Sequence, residues 1–291
     1  MTEQTTSPQG KPLVAVVTGA SSGIGEATAR RLAREPGASL VLVARREERL
    51  RTLTQSLAPA SSADGNERAG AGRISWVAAD LTDEGAPERI RAHVAERHGG
   101  RLTLLVNNAG ASWRTQFGEG GYENVRRTMA INFDAQVRVT EALLEMLRAS
   151  APSAIVNVAS IAARVPRKGS GAYCASKAAL ASWSDSLALE ERPHGVHVGL
   201  VLPGFISTEG FPQAELVANR FTRWAVSTPE HAAEAIYQTG VGRRPERSVP
   251  RPYALASASR ILAPGLLRRV MGSGGAAVMT TTTGPDMAER E

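Results

Sequence analysis

The stretch Leu13-Val14-Ala15-Val16-Val17-Thr18-Gly19-Ala20-Ser21-Ser22-Gly23-Ile24-Gly25-Glu26-Ala27 decides the fold. Its first five residues are apolar and rich in valine, the mark of a strand buried on both faces of a parallel sheet. A glycine-rich turn follows, and Ala27 to Leu32 then reads as helix. Strand, glycine turn, helix is the setting in which such a turn holds a dinucleotide. The glycines let the backbone bend tightly and approach a pyrophosphate. The helix N-terminus supplies N–H groups and the positive end of its dipole. The spacing is Gly-x-x-x-Gly-x-Gly, from Gly19 through Gly23 to Gly25. For the glycines alone, a plain strand-to-helix loop is the competing reading.

Outward from this turn, apolar strands alternate with amphipathic helices. The pattern predicts strands near 13–17, 39–43, 73–78, 102–106, 154–159 and 196–202. It predicts helices near 23–34, 46–57, 84–98, 122–149 and 171–191. This is the α/β class: a single-domain, Rossmann-type, doubly wound parallel sheet with helices on both faces. Right-handed crossovers bring the strand ends, and the loops that carry chemistry, to one edge. The domain is expected over 12–252, after a flexible N-terminus at 1–11. Pro59 to Gly72 reads as a surface loop. Residues 253–271 read as an amphipathic segment broken at Pro264-Gly265, and 272–291 as a disordered tail.

A second stretch carries the chemistry. Tyr173 and Lys177 lie four apart in Gly171-Ala172-Tyr173-Cys174-Ala175-Ser176-Lys177. On a helix, positions i and i+4 share a face. A phenol, with a pKa of about 10, is a poor acid or base at neutral pH. A neighbouring positive charge favours the phenolate and tunes it for proton transfer. Ser160, 13 residues upstream of Tyr173, completes a set suited to a carbonyl or alcohol oxygen.

Together these motifs resemble the classical short-chain dehydrogenase/reductase family, from about Leu13 to Thr208. Thr18 to Gly25 is similar to its cofactor turn, which implies contacts from Gly19, Ser21, Ser22, Gly23 and Ile24. Asp80 and Leu81 match the acid segment after the third strand that meets the adenine. Asn108, Ala109 and Gly110, within Asn107-Asn108-Ala109-Gly110, match the motif after the fourth strand. Pro203, Gly204, Ile206 and Thr208 match the segment that flanks the nicotinamide. Asn132, Ser160, Tyr173 and Lys177 match the four catalytic positions. The resemblance implies that Tyr173 donates or accepts the proton and Ser160 holds the substrate oxygen. It implies that Lys177 lowers the phenol's pKa and holds the nicotinamide ribose, and that Asn132 orders a water. The hydride itself belongs to the nicotinamide. Ser112, Trp113, Gly204, Phe205 and a lid over 209–227, with Phe211, Phe221 and Trp224, are expected to line the pocket. The aromatic residues favour an apolar ketone or aldehyde.

The second strand ends without an acid, and Arg45-Arg46 follow. An acid there binds ribose hydroxyls and repels a 2′-phosphate, whereas arginine pairs with the phosphate through its planar fork. NADP(H) is the expected cofactor, with Arg45 as main contact and Arg46 second. The competing reading is that both arginines merely begin a solvated helix.

Composition excludes other classes. No apolar run is long enough to span a membrane, and the first residues are polar, so a cytoplasmic protein is expected. Cys174 is the only cysteine, so no internal disulfide can form, and the five histidines lack metal-ligand spacing. The net charge of +6 is arginine mixed with glutamate, as in Arg45-Arg46-Glu47-Glu48-Arg49. That is a solvated face, and no nucleic-acid partner is expected. The resemblance implies a homodimer or homotetramer paired through the helices at 122–149 and 171–191. The C-terminal part departs from the family, because Arg247-Ser248-Val249-Pro250 stands where many members carry Asp-Gly-Gly. Residues 253–271 either cover the substrate side or a subunit interface, or touch a membrane. Two other functions remain open: a catalytically silent NADPH-binding sensor, and a different reaction on a related fold.

Overall fold

The strand-forming residues Val14–Thr18 are buried along their whole length and form β1, an inner strand of a seven-stranded parallel sheet. The computed structural model describes residues 12–57, 73–209 and 225–272. The expectations for 1–11, for 59–72, for most of the 209–227 lid with its three aromatic residues, and for 273–291 lie outside those residues.

In chain order, β1 is followed by α1 (Gly23–Leu32), β2 (Ser39–Ala44), α2 (Glu47–Leu57), β3 (Ile74–Ala78) and α3 (Ala86–His98). Next come β4 (Leu104–Asn107), α4 (Phe117–Met129), a π-helical turn (Ala130–Asp134) and α5 (Ala135–Ala149). Then follow β5 (Ser153–Val158), a short 3-10 turn (Ile161–Ala163), α6 (Gly171–Glu191) and β6 (Val196–Pro203). The last elements are β7 (Phe205–Ile206), β8 (Val226–Ser227), α7 (Pro229–Gly240), β9 (Glu246–Val249), α8 (Tyr253–Leu262) and α9 (Pro264–Gly272). The sheet order is β3-β2-β1-β4-β5-β6-β9, so the winding reverses between β1 and β4. β7 and β8 form a separate two-stranded ladder.

Alternation along β1 divides the core. Ala15 and Val17 face the layer of α1, α2 and α7, against Ala29, Leu32, Leu50, Ala232 and Ile236. Val16 faces the opposite layer, against Ile90, Val94, Val139, Leu143 and Leu147. Charged pins hold these layers. Arg31 on α1 donates to Glu234 on α7 at 2.7 Å, and its guanidinium lies 3.5 Å from the Tyr237 ring centroid. Arg148 on α5 grips Glu191 at the end of α6 with bonds of 2.9 and 2.6 Å.

The structure differs from the sequence-based reading in three places. The helix expected over 122–149 starts at Phe117, takes a left-handed kink at Gly121 (φ 52°), and contains the π-turn around Asn132. Helix α7 was not anticipated, although Thr228-Pro229 is a helix start. Thr228 Oγ1 accepts from His231 N at 3.3 Å, and proline suits the first helical position. Strand β9 was also not anticipated. Glu246-Arg247-Ser248-Val249 is too polar to read as a strand, but charged residues are what an edge strand carries. Residues 253–271 are two helices, α8 and α9, and Gly272 ends the second. Among the described residues, no helix is long and apolar enough to cross a membrane.

Candidate active site

The site lies at the carboxyl ends of β1 and β4, where the winding reverses and a crevice opens. Thr18 locks the two loops together. Its hydroxyl donates to Val106 O at 3.2 Å and accepts from the N–H groups of Asn108 and Ala109 at 2.9 and 3.0 Å. Asn108 returns the contact, donating through Nδ2 to Thr18 O at 2.9 Å.

This lock sets the shape of the glycine turn. Gly19 adopts φ +66°, a left-handed conformation that favours glycine. A Cβ on Gly25 would lie 2.1 Å from Gly19 O. The turn therefore has no room for side chains on its inner side, and its backbone is open to a ligand. Ser22, at the N-cap of α1, makes no side-chain capping bond, so its hydroxyl does not occupy the helix's first N–H groups. Thr208 approaches the turn from across the crevice, its Cγ2 3.2 Å from where a Gly23 Cβ would stand. Tight glycines beside an uncapped helix start fit a dinucleotide pyrophosphate.

Beyond β2, Arg46 folds back onto the turn. Its guanidinium donates to Ser21 Oγ at 3.0 Å and to Ser22 Oγ at 2.8 Å. Arg45 instead reaches Asp80, with Nη1 3.8 Å from Oδ2. Burial disfavours the Asp80 carboxylate, but hydrogen bonds from Thr82 and the charge of Arg45 outweigh it and hold the carboxyl below its usual range. Thr82 supplies both its N–H, at 2.8 Å, and its hydroxyl, at 2.7 Å. Leu81 beside it is buried in the core, so its side chain belongs to packing.

The four catalytic candidates converge at the ends of β4, β5 and α6. Asn132 is fully buried in the π-turn. Its Oδ1 accepts from Ala111 N at 2.8 Å, and its Nδ2 donates to Ala111 O at 2.9 Å and Ser176 Oγ at 3.0 Å. Asn132 is thus a clamp between the loop after β4 and helix α6, and π-turns of this kind recur at functional sites. Gly110 lets the clamp close, since a Cβ there would lie 2.7 Å from Asn132 Oδ1 and 3.3 Å from Lys177 Nζ. Lys177 is 4% exposed and donates to Val158 O at 2.9 Å. Burial lowers its ammonium pKa to about 8.

Ser160 caps the 3-10 turn, accepting from Ala162 N at 3.1 Å. Its hydroxyl donates to Pro203 O at 3.3 Å, longer than an ordinary O–H···O bond and easily exchanged for a ligand. Burial holds the Tyr173 phenol above its ordinary value, and the Ser160 hydrogen bond and the charge of Arg167 offset that only in part. Lys177 had been expected to supply that charge. Its Nζ lies 5.9 Å from the Tyr173 ring centroid and points to the β5 backbone.

Where the substrate pocket is expected, Phe205 and Tyr253 pack with Ala225, and Ile161 lies against them. Gly204 admits the Tyr253 ring, which approaches to 2.2 Å from where a Gly204 Cβ would stand, and the Tyr253 hydroxyl donates to Ala225 O at 3.0 Å. Ile206 joins the central core. Trp113 is half-buried, with the Arg127 guanidinium 4.7 Å from its ring centroid. Sequence reasoning missed Tyr253, whose aromatic ring in a basic segment was the available signal. It also missed Arg167, which nothing in Pro166-Arg167-Lys168-Gly169 separates from a surface residue. No group of three or more His, Cys, Asp or Glu side chains is placed to hold a metal among the described residues.

The family model described as short chain dehydrogenase matches residues 13–216. The chain is 32% identical to the bovine dehydrogenase/reductase SDR family member 7B, over 89% of this chain and 80% of that protein. It is 32% identical to the 2,5-dichloro-2,5-cyclohexadiene-1,4-diol dehydrogenase LinX of Sphingobium indicum, over 67% of this chain and 73% of that one. Among solved structures it is similar to L-sorbose reductase from Gluconobacter frateurii complexed with NADPH and L-sorbose. There the identity is 30% and the TM-score 0.67, covering 79% of this chain and 90% of that one.

Proposed function

This chain belongs to the short-chain dehydrogenase/reductase family of oxidoreductases, and from that premise we propose that it is an NADP(H)-dependent carbonyl reductase. The observation that carries the reading is the convergence of Ser160, Tyr173, Lys177 and the Asn132 clamp beside an open glycine turn. When bound, the nicotinamide supplies the hydride to the carbonyl carbon. Tyr173 gives its phenolic proton to the oxygen as charge develops there. The Ser160 hydroxyl turns from Pro203 O to hydrogen-bond the same oxygen. Lys177, with a pKa of about 8, would hold the nicotinamide ribose, and its ammonium is acidic enough to return a proton to the Tyr173 phenolate. Asn132 bonds both Ala111 and Ser176, and so ties the loop after β4 to the Tyr173 helix.

The preference for NADP(H) is supported by Arg46, which braces Ser21 and Ser22 at the adenosine end of the turn. Arg46 is better placed than Arg45 for a 2′-phosphate, because Arg45 is drawn to Asp80. NADPH in the related L-sorbose reductase structure agrees with this choice. The apolar walls from Phe205 and Tyr253 suit a substrate with an apolar body. Pairing of two copies through the helices at 122–149 and 171–191 is supported by exposed Tyr122 and Leu189.

The test is NADPH and NADH titration of wild type and Arg46→Ala, together with turnover on a panel of ketones and aldehydes. Tighter NADPH binding that is lost in Arg46→Ala, with carbonyl-dependent NADPH oxidation, is the expected result. Tighter NADH binding would contradict the cofactor assignment.

A further inference from the structure

Arg167 lies in the loop between the Ser160 turn and α6, six residues before Tyr173. Its Nε and Nη2 are buried and have no hydrogen-bond partner. No carboxylate forms an ion pair with it among the described residues. Its guanidinium carbon sits 5.1 Å from the Phe205 ring centroid. Its charge acts on Tyr173, Cys174 and Tyr253, and that of Arg114 opposes it. Arginine cannot shed its proton to escape burial, so an unpaired guanidinium is costly here. A protein that only needed a charge near Tyr173 could leave the N–H groups in water or satisfy them with a carbonyl. Here the two N–H groups of one guanidinium edge are left unmet, beside the Phe205 ring. That edge, Nε with Nη2, is the planar fork that matches the two oxygens of a carboxylate. An apolar pocket with one such polar group orients its ligand by that group.

We propose that the Nε–Nη2 edge of Arg167 is a carboxylate subsite, and that the substrate is an oxo acid with an apolar body. Its carbonyl meets Ser160 and Tyr173, and its carboxylate pairs with Arg167. The inference rests on the reductase reading given above. It refines the expected apolar ketone by adding an anionic arm.

The probes are benzoylformate and 3-benzoylpropionate, each beside its methyl ester, with wild type, Arg167→Met and Arg167→Lys. NADPH oxidation gives the acid-to-ester ratio of kcat/KM, which cancels any effect of Arg167 on Tyr173 itself. Thermal unfolding of the NADPH complex gives binding independently of turnover. For at least one pair, wild type should prefer the acid, and Arg167→Met should lower the ratio by about 100-fold. Arg167→Lys keeps the charge without the fork and should restore part of it. The same acid should raise the melting temperature of wild type but not of Arg167→Met. Without ligand, Arg167→Met should melt no lower than wild type, because it removes an unpaired charge.

Equal use of acid and ester by wild type in both pairs would overturn the subsite while leaving the reductase standing. Acid-specific protection lost in Arg167→Met, without turnover of any carbonyl, would keep the subsite and sink the reductase. No protection of wild type by either acid would overturn the subsite. A melting temperature of Arg167→Met well below wild type would do the same, since it would reveal a structural partner.

Discussion

Replacing Lys177 with methionine should stabilise the cofactor-free protein at neutral pH while removing its activity. Lys177 is 4% exposed, and burial alone lowers its pKa from 10.5 to about 8. At about 1.4 kcal/mol per pH unit, holding that ammonium charged costs the folded chain about 3 kcal/mol at pH 7. Methionine fills a similar volume without the charge. It also removes the 2.9 Å bond to Val158 O, a loss of about 1 kcal/mol. The net expectation is a gain of about 2 kcal/mol below pH 8. The pH dependence fixes the sign. Between about 8 and 10.5 the unfolded lysine holds a proton that the folded one has lost. Wild-type stability should therefore rise with pH across that window relative to the mutant, and the gap should close and reverse. Urea unfolding of both proteins at pH 7 and pH 10, without nucleotide, measures this. A mutant clearly less stable than wild type at pH 7, or a difference independent of pH, would refute the reasoning.

Two further outcomes are expected. Gly25→Ala puts a methyl group 2.1 Å from Gly19 O and 2.7 Å from Asn108 Nδ2, so the turn must shift. Overpacking of that kind costs about 1–3 kcal/mol, and NADPH affinity should fall roughly 10- to 100-fold; unchanged affinity in a fluorescence titration would contradict this. Glu191→Gln weakens the grip of Arg148 on a carboxylate that is 2% exposed, and should cost about 2 kcal/mol at pH 7. The Arg148 hydrogen bonds hold the Glu191 carboxyl below its usual range. The stability it gives is present above about pH 4.3, the ordinary glutamate value, and is lost as pH falls through the depressed folded value. The gap between wild type and Glu191→Gln in urea midpoint should therefore shrink on acidification, and a constant gap would count against the pair.

The central sheet was readable because each inner strand is an uninterrupted apolar run, and β1 with the glycine turn has a local signature. Tyr173, Lys177 and Ser160 were readable because they lie on α6 and the loop that leads to it, at fixed spacing. What escaped was set by partners far apart in the chain. Among the described residues, strand β9 pairs with β6 alone, and its polar sequence makes sense at a sheet edge. The π-turn at Asn132 depends on Ala111 and Ser176, which are 21 and 44 residues away. The separate placements of Arg45, near Asp80, and Arg46, on Ser21, are likewise recorded by no local pattern. Arg167 is told from a surface arginine only by its burial over Phe205.

The most direct measurement compares wild type and Tyr173→Phe for NADPH binding and for carbonyl-dependent NADPH oxidation, followed by nicotinamide absorbance. The substitution keeps the ring and removes only the proton-bearing oxygen. The account predicts an NADPH dissociation constant within a few-fold of wild type and turnover reduced by at least about 100-fold, the usual worth of a positioned general acid. Turnover that survives in Tyr173→Phe would contradict the assignment of Tyr173 as proton donor, and with it the mechanism proposed for this chain.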